Sequence, residues 1–237
     1  MQIPEFNNFI SFSDVRGKLN VNCIREKKSF CESDKNFLIA YIGNPFSKSD
    51  KEHKNEIIDL DYCVKKYKVS IENLANSLDG SFLILFIDLN ANLIHIINDR
   101  FGVYPFFYNN DNFDIYGSIH SDEVGWNLIN QSLDLISLGE FLRTGTITPG
   151  YSFYKRIKSL DYGNILTFNR VTRKCYTSKY FNPSELTNKK YLSLKEAYKN
   201  LYLSMNYIKN RYTSIFKNIG LLLSGGTDSR SIAIFFK

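Results

Sequence analysis

A short polar string near the end of the sequence has the residue types that hold an anion. The string SGGTDS occupies positions 224–229 and follows an apolar run at 219–223. Glycines let the backbone bend and approach a ligand without a Cβ atom in the way. If a helix begins there, its unbonded first-turn amides and positive dipole end favour negative charge. Ser224 and Ser229 add hydroxyl donors, whereas Asp228 repels phosphate and suits helix capping or a metal.

The flanking segments predict the elements that would position this string. The run IGLLL at 219–223 predicts a buried strand, and the apolar segment after the string predicts a helix. Upstream, apolar residues recur every three or four positions from Leu194 to Tyr212, which is a helical period. Ser193 followed by Glu196 is a capping-box start for that helix. A tight turn followed by a simple N-cap is the alternative interpretation of the glycine string.

Comparison with known phosphate-binding loops narrows the chemistry of the string. It lacks the lysine of the G-x-x-x-x-G-K-[ST] loop and is not G-x-G-x-x-G. It resembles the S-G-G-x-D-S loop of ATP pyrophosphatases, which split ATP between the α and β phosphates and form an adenylate. That resemblance implies ATP as a ligand, with Mg²⁺ held by Asp228. The residues that it implies for ATP or pyrophosphate binding are Leu222, Ser224, Gly225, Gly226, Asp228 and Ser229.

Two upstream segments point to one branch of that superfamily. Residues 78–108 resemble the asparagine synthetase pattern of a glycine, an apolar strand ending in Asp, a turn, and R-D-x-x-G-x-x-P-L-Y-Y. Here the acid comes first, as Asp99-Arg100, while Gly102 and Pro105 keep their spacing. Residues 139–168 resemble that family's P-G-x-x-x-F-x-x-I segment and the L-x-x-G after it. We interpret these upstream residues as architectural rather than chemical.

The front of the chain departs from the glutamine-using members of that family. Those members begin with a cysteine whose thiol attacks the glutamine amide. Here the removal of Met1 would expose Gln2, which has no nucleophile. If residues 6–12 align with the family's first strand, Asn7 stands at the position of the thiol. We therefore predict no catalytic residue and no glutaminase activity, as in the β-lactam synthetases and lasso-peptide cyclases. The nearest match to the family's N-G-E glutamine contact is Gly43-Asn44-Pro45, in reversed order, and the S-D-x-E contact has no convincing match.

The order of apolar runs predicts the fold class. Runs at 81–88, 93–98, 103–108 and 113–119, joined by short turns, predict an antiparallel meander. With the resemblance, they indicate an α+β domain with Ntn-hydrolase-like antiparallel sheets at 1–180. A linker at 181–192 and the first helix and strand of an incomplete α/β ATP pyrophosphatase domain at 193–237 would follow. The sequence also predicts a strand at 36–42 broken by Gly43-Asn44-Pro45, one helix within 57–78, and a helix at 132–145.

Composition excludes several other classes of protein. The chain has 237 residues, a net charge of +6, and 15% aromatic residues, which favours a sheet-rich core. Its basic residues are scattered rather than clustered, so a nucleic acid is not the expected partner. No signal peptide, membrane span or zinc-site spacing is visible, so we expect a cytoplasmic protein without a membrane partner. Cys23 and Cys31 are expected to be small packing or surface residues.

These observations converge on an asparagine synthetase-like, ATP-dependent ligase that joins a carboxylate to an amine. The expected partner is a small-molecule or peptide carboxylate, and a homodimer is also expected. Because one strand and two helical turns cannot complete a nucleotide-binding domain, either the chain is the front of a longer enzyme or the product is a truncated, non-catalytic remnant. Another ATP pyrophosphatase, such as a tRNA-modifying enzyme, is the further alternative and would fit the net charge.

Overall fold

The chain forms two compact units. The computed structural model describes residues 9–24, 29–48, 58–111, 114–126, 128, 131–186 and 193–236. The first unit contains the described residues up to 182, and the second contains those from 183 onward. Among the described helices, none has both the length and the apolar character that crossing a bilayer requires.

The first unit contains eleven described strands in two antiparallel sheets. The strands are β1 (Phe9–Val15), β2 (Lys18–Ile24), β3 (Ser29–Ser33), β4 (Phe37–Ser47), β5 (Leu78–Asp88), β6 (Leu93–Asn98), β7 (Phe107–Asn109), β8 (Ile115–Ser118), β9 (Lys158–Ser159), β10 (Asn164–Asn169) and β11 (Lys174–Lys179). The first sheet has the order β2-β1-β8-β7-β9, and the second has the order β11-β10-β6-β5-β4-β3.

Of the α-helices in the described residues, four belong to the first unit and two to the second. They are α1 (Leu60–Tyr67), α2 (Ile71–Ser77), α3 (Ser121–Trp126), α4 (Leu135–Thr144), α5 (Leu194–Ile215) and α6 (Thr227–Phe236). The predicted α+β class with antiparallel sheets is confirmed. The helix predicted at 132–145 is also confirmed, and it ends on Gly145 in the left-handed conformation (φ 76°).

The hydrophobic core of the first unit has two layers that share the second sheet. Leu85 of β5 packs with Phe12 of β1 between the sheets. Phe86, one position further along β5, packs on the other side with Leu74 of α2 and Cys63 of α1. Strand β5 is therefore covered on both faces, as its uninterrupted apolar sequence predicts. On the outer face of the first sheet lies α3, which completes a helix–sheet–sheet–helix arrangement.

Three predictions about individual elements of the first unit are wrong. The single helix at 57–78 is two helices, because Ser70 caps a new helix and its side chain accepts a hydrogen bond from Asn73 N. The break at Gly43-Asn44-Pro45 does not occur, because β4 continues to Ser47. The meander is divided between the sheets, since β5 pairs with β6 and β7 pairs with β8.

The continuation of β4 depends on two glycines in facing strands. Gly43 has φ 90° and Gly80 has φ 98°, backbone conformations that favour glycine. A Cβ atom on Gly43 would lie 2.2 Å from the Ser81 carbonyl oxygen and 2.6 Å from Cε2 of Tyr104. A Cβ atom on Gly80 would lie 2.2 Å from the Asn44 carbonyl oxygen. The two backbones therefore pass each other too closely for any side chain.

Asp99 fixes the crossover from the second sheet to the first. Its buried carboxylate accepts hydrogen bonds from the amides of Phe82 (3.1 Å), Phe101 (2.7 Å) and Val103 (3.1 Å). Its carbonyl oxygen accepts a hydrogen bond from Gly163 N at 2.9 Å. The turn that resembles the asparagine synthetase pattern is therefore held by Asp99 as an internal support, which agrees with its architectural interpretation.

Asp14 at the end of β1 joins the two sheets at their other end. Its carboxylate accepts hydrogen bonds from Arg170 Nε and from Arg173 Nη1 (2.6 Å). Both arginines lie in the β10–β11 turn of the second sheet, and the Asp14 side chain is fully buried. Burial alone would raise the pKa of Asp14, but the hydrogen bonds and charges of Arg170 and Arg173 outweigh it and lower that pKa.

His95 of β6 is buried among polar partners within the second sheet and its covering helices. Its Nδ1 lies 2.9 Å from Thr167 Oγ1, and its Nε2 lies 3.4 Å from the Tyr67 hydroxyl. Burial lowers the pKa of His95 to about 4, against an opposing influence from Asp88. The folded chain therefore holds this imidazole neutral at pH values where an unfolded chain would protonate it.

The second unit buries little of its apolar surface. Helix α5 begins at the predicted capping box, where Ser193 Oγ accepts from Glu196 N (3.3 Å) and Glu196 Oε2 accepts from Ser193 N (2.9 Å). The strand predicted at 219–223 is wrong, because the described residues of this unit contain no other strand to pair with it. Leu222 is 94% exposed, and the described residues of α5 and α6 include no buried one.

Asp14→Asn should remove the carboxylate charge that the Arg170 and Arg173 guanidinium groups share, leaving Arg173 with its longer contact to Asp114 (3.4 Å). We expect the free energy of unfolding of the first unit to fall by about 3 kcal/mol. Urea unfolding monitored by the fluorescence of Trp126, the single tryptophan of the chain, measures this change. Since the pKa of Asp14 is lowered, its stabilisation is present above the unfolded value of 3.8 and is lost as pH falls through the folded value.

The matched control is Asp111→Asn, whose partly exposed pair with Arg156 (2.5 Å) should contribute less than ~1 kcal/mol. Equal effects of the two variants would contradict the role of Asp14.

Replacing His95 should change how stability depends on pH. Between pH 6.5 and 4, His95 is protonated in the unfolded chain but stays neutral in the folded chain. The free energy of unfolding therefore falls by about 3 kcal/mol as the pH is lowered through this range. His95→Gln keeps an amide that can hydrogen-bond to Thr167 and should flatten this dependence. Urea unfolding at a series of pH values tests it, with His120→Gln as the control for a half-buried imidazole. A wild-type slope retained in His95→Gln would refute the assignment.

Candidate nucleotide-phosphate site

The glycine string leads directly into α6. This ten-residue helix begins at Thr227, the fourth residue of the string. The amide of Arg230 donates to the Gly226 carbonyl oxygen at 3.3 Å, as the helical pattern requires. The preceding amides of Thr227, Asp228 and Ser229 therefore have no acceptor within the helix. Three exposed donors at a positive dipole end suit a phosphate group.

The two glycines contribute in different ways. Gly225 has φ 79°, a conformation that residues with a side chain rarely adopt, and a Cβ atom there would meet nothing within 4 Å. At Gly226 a Cβ atom would approach only Ser224 Oγ, at 3.4 Å. Gly225 is thus required by the backbone turn itself, whereas a side chain at Gly226 would contact only the Ser224 hydroxyl.

The serine side chains hold the turn in shape. Ser224 Oγ and Ser229 Oγ lie 3.2 Å apart. Ser229 Oγ also donates to the Gly226 carbonyl oxygen at 3.2 Å, and Gly226 N donates weakly to Ser224 Oγ at 3.4 Å. The hydroxyls that the sequence predicts as phosphate donors therefore contact each other, and a phosphate would have to replace these bonds.

The remaining predicted residues differ in what they offer. Leu222 contributes only its backbone, since its apolar side chain is 94% exposed. Asp228 lies in the first turn of α6, where a carboxylate complements the helix dipole. Within the part of the chain that the structure describes, no three His, Cys, Asp or Glu side chains converge on a metal position. The residues present therefore fit a phosphate but not a complete Mg²⁺ site.

Arg230 is a basic residue at this turn that the sequence analysis did not select. Its Nε donates to the Gly226 carbonyl oxygen at 3.3 Å, so the guanidinium is anchored on the glycine turn itself. An arginine anchored there adds positive charge beside the exposed amides. The signal that could have found it is its position directly after the six-residue string.

The thiols of Cys63 and Cys175 are not suited to nucleophilic attack. The predicted replacements for the nucleophile, Gln2 and Asn7, lie outside the described residues. Burial raises the pKa of the Cys63 thiol, and burial raises that of Cys175 to about 11 despite the nearby Lys158. A thiol with a raised pKa has little reactive thiolate at neutral pH. Cys31 lies in the edge strand β3 and packs partly against the core between the sheets.

The segment nearest to the family's N-G-E contact is part of a sheet. Gly43 pairs with Phe82 and Pro45 with Gly80 in the β4–β5 ladder. The ring of Tyr104 lies so close to Gly43 that any side chain there would collide with it. The backbone at Gly43 is therefore covered on one side by Tyr104.

Comparison with known proteins places this geometry in a family. The family model described as "Glutamine amidotransferase domain" matches residues 47–181, which is more than half of the chain. Asparagine synthetase [glutamine-hydrolyzing] 2 of Bacillus subtilis (strain 168) is 26% identical over 198 residues, covering 75% of this chain and 25% of that protein. Asparagine synthetase [glutamine-hydrolyzing] 3 of the same organism is 29% identical over 114 residues, covering 47% of this chain and 19% of that protein.

The chain spans about a quarter or less of the length of these curated relatives. Among solved structures, glutamine phosphoribosylpyrophosphate amidotransferase from B. subtilis with ADP and GMP is 12% identical at a TM-score of 0.40, covering 74% of this chain and 43% of that one. A structure titled as the allosteric regulatory enzyme of purine biosynthesis has the same identity and coverage at a TM-score of 0.41. From the match over residues 47–181, the chain belongs to the glutamine amidotransferase domain family, in the form that the asparagine synthetases carry.

Proposed function

We propose that the protein carrying this chain is an ATP-dependent ligase that forms an amide bond by adenylating a carboxylate. The observation that carries the proposal is the turn at 224–229, where Gly225 adopts φ 79° and three amides at the start of α6 lack helical acceptors. In this role the turn amides would hold the pyrophosphate part of ATP. Arg230, anchored at 3.3 Å on Gly226, would add charge to the same region.

The proposed acceptor is a small-molecule or peptide carboxylate, and the amine is one already present on the substrate. Two features support an amine that is already present on the substrate. Gln2 and Asn7 provide no thiol where glutamine-using relatives need one. In addition, Gly43-Asn44-Pro45 is part of the β4–β5 ladder, and the ring of Tyr104 covers the backbone at Gly43. An amidotransferase-type domain without a glutaminase site would then serve as a structural support for the ligase part.

A non-catalytic remnant is the second candidate, and one observation favours it. The described residues of α5 and α6 include none that is buried, and the apolar run before the glycine turn pairs with no strand. A turn without surrounding structure would hold ATP weakly because few further contacts fix the nucleotide. Under this alternative, neither phosphate binding at the turn nor ATP turnover by the protein would be detected.

Inorganic pyrophosphate should bind at the glycine turn of the 237-residue chain. We expect its addition to shift the ¹⁵N–¹H resonances of residues 225–229 in a saturable way, because their amides are the donors. Gly225→Val should raise the dissociation constant by at least about tenfold, since a branched side chain opposes φ 79°. The matched control is Gly220→Ala, a glycine without positive φ and with open space around it, which should bind as the wild type does. Shifts spread over the whole chain, or equal losses in both variants, would refute the site.

The purified protein should release neither ammonia nor glutamate from glutamine. The physical reason is that Gln2 and Asn7, at the positions matched to the family's nucleophile, carry no thiol, together with the raised pKa values of Cys63 and Cys175. A coupled glutamate assay measures the rate, and B. subtilis asparagine synthetase [glutamine-hydrolyzing] 2 serves as the positive control. Turnover above background that disappears after thiol alkylation would overturn this part of the proposal.

A further inference from the structure

Two asparagine side chains at the end of the β6–β10 ladder have buried oxygens that accept no hydrogen bond. Among the described residues, Oδ1 of Asn98 and Oδ1 of Asn164 are buried atoms without a donor. Asn98 is only 1% exposed as a whole, so bulk solvent does not reach its amide. A buried amide oxygen loses its hydration on folding, and native proteins nearly always replace that hydration with a donor.

The strand register places these two side chains next to each other. Ile96 of β6 pairs with Leu166 of β10, and both pack in the core between the sheets. Asn98 and Asn164 each lie two positions further toward the same end of this antiparallel ladder. Because side chains alternate along a strand, both asparagines face the layer between the sheets. Opposing side chains of neighbouring strands have Cβ atoms about 5 Å apart, so one small molecule can contact both.

The surroundings of Asn98 fix the direction of its amide. Its Nδ2 donates to the Leu160 carbonyl oxygen at 3.4 Å. Exchanging the nitrogen and the oxygen of this amide would turn two acceptors toward each other, so Oδ1 must point away from Leu160. The backbone carbonyl oxygen of Asn98 accepts from the Tyr180 hydroxyl at 2.7 Å. Asn98 is therefore held on two sides and cannot turn its Oδ1 toward another donor of the chain.

A water molecule fits the two oxygens better than a cation does. A metal ion needs more ligands than two amide oxygens, and the described His, Cys, Asp and Glu side chains form no three-ligand cluster. Lys179 lies opposite Asn164 in the β10–β11 ladder, and its positive charge disfavours a second cation there. The Lys179 ammonium itself lies over the ring of Tyr162, 5.2 Å from the ring centroid. Water is neutral and carries two O–H donors, which matches two neighbouring acceptors.

We propose that one water molecule binds between the sheets and donates one hydrogen bond to Asn98 Oδ1 and one to Asn164 Oδ1. This water would join the ends of β6 and β10 directly before Asp99, where the chain crosses from the second sheet to the first. The proposal does not depend on ATP binding or on ligase activity.

A high-resolution crystal structure of the 237-residue chain tests the site directly. We expect an ordered water about 2.8 Å from both oxygens. Asn109 is the matched control, because it is 2% exposed but its Oδ1 accepts from Asp111 N (3.2 Å) and its Nδ2 donates to the Arg156 carbonyl oxygen (2.6 Å). No bridging water should contact Asn109. A Lys179 ammonium seated on Asn164 Oδ1, or no density between the two asparagines, would overturn the proposal.

Two variants test the same water in solution. Asn164→Leu keeps a similar volume but removes one acceptor, so the amplitude of water ¹⁷O magnetic relaxation dispersion should fall by the contribution of one long-lived water. The matched control is Lys179→Met, which removes the neighbouring ammonium and should keep the wild-type amplitude. Circular dichroism confirms folding, and the wild-type crystal structure decides the matter if Asn164→Leu does not fold. An unchanged amplitude in folded Asn164→Leu, or an equal fall in both variants, would refute the site.

Discussion

The structure depends most on the buried carboxylate of Asp14, which receives two guanidinium groups from the opposite sheet. Two antiparallel sheets with an apolar interface have no intrinsic reason to hold one relative position, because dispersion contacts are not directional. Arg170 and Arg173 supply that direction by reaching from the β10–β11 turn to the end of β1. At the other end, the Asp99 carboxylate accepts hydrogen bonds from three backbone amides and fixes the crossover between the sheets. One carboxylate at each end thus positions the sandwich.

Signals that act within one element could be predicted from the sequence. The capping box of Ser193 and Glu196, the end of the helix at Gly145 and the coverage of β5 on both faces all follow from local pattern and are confirmed. Errors arose where a second element decides the outcome. The turn beginning at Asp99 has the composition of a hairpin turn, yet it carries the chain from one sheet to the other. The distinction depends on one partner of its carboxylate, the amide of Phe82, which lies 17 residues away and cannot be recognised locally.

At the candidate phosphate site, too, local features could be predicted from the sequence, whereas contacts between side chains could not. The sequence locates the glycines and the start of α6, because φ 79° at Gly225 and a helix N-terminus are local properties. It does not reveal that Ser224 and Ser229 contact each other, or that Arg230 folds back onto Gly226. It also predicts a strand at 219–223 that needs a neighbour absent from the described residues.

The facing glycines of β4 and β5 have a further consequence for the eleven-residue ladder that joins these strands. Gly43 and Gly80 are the positions where each backbone touches the other, with the Ser81 and Asn44 carbonyl oxygens occupying the space of the missing side chains. A shift of one strand by a single residue would place a side chain at Gly43 or Gly80, where the facing carbonyl oxygen leaves room only for the glycine hydrogen. The two glycines therefore permit only one register of β4 against β5, and they exclude misaligned pairing while the chain is still folding.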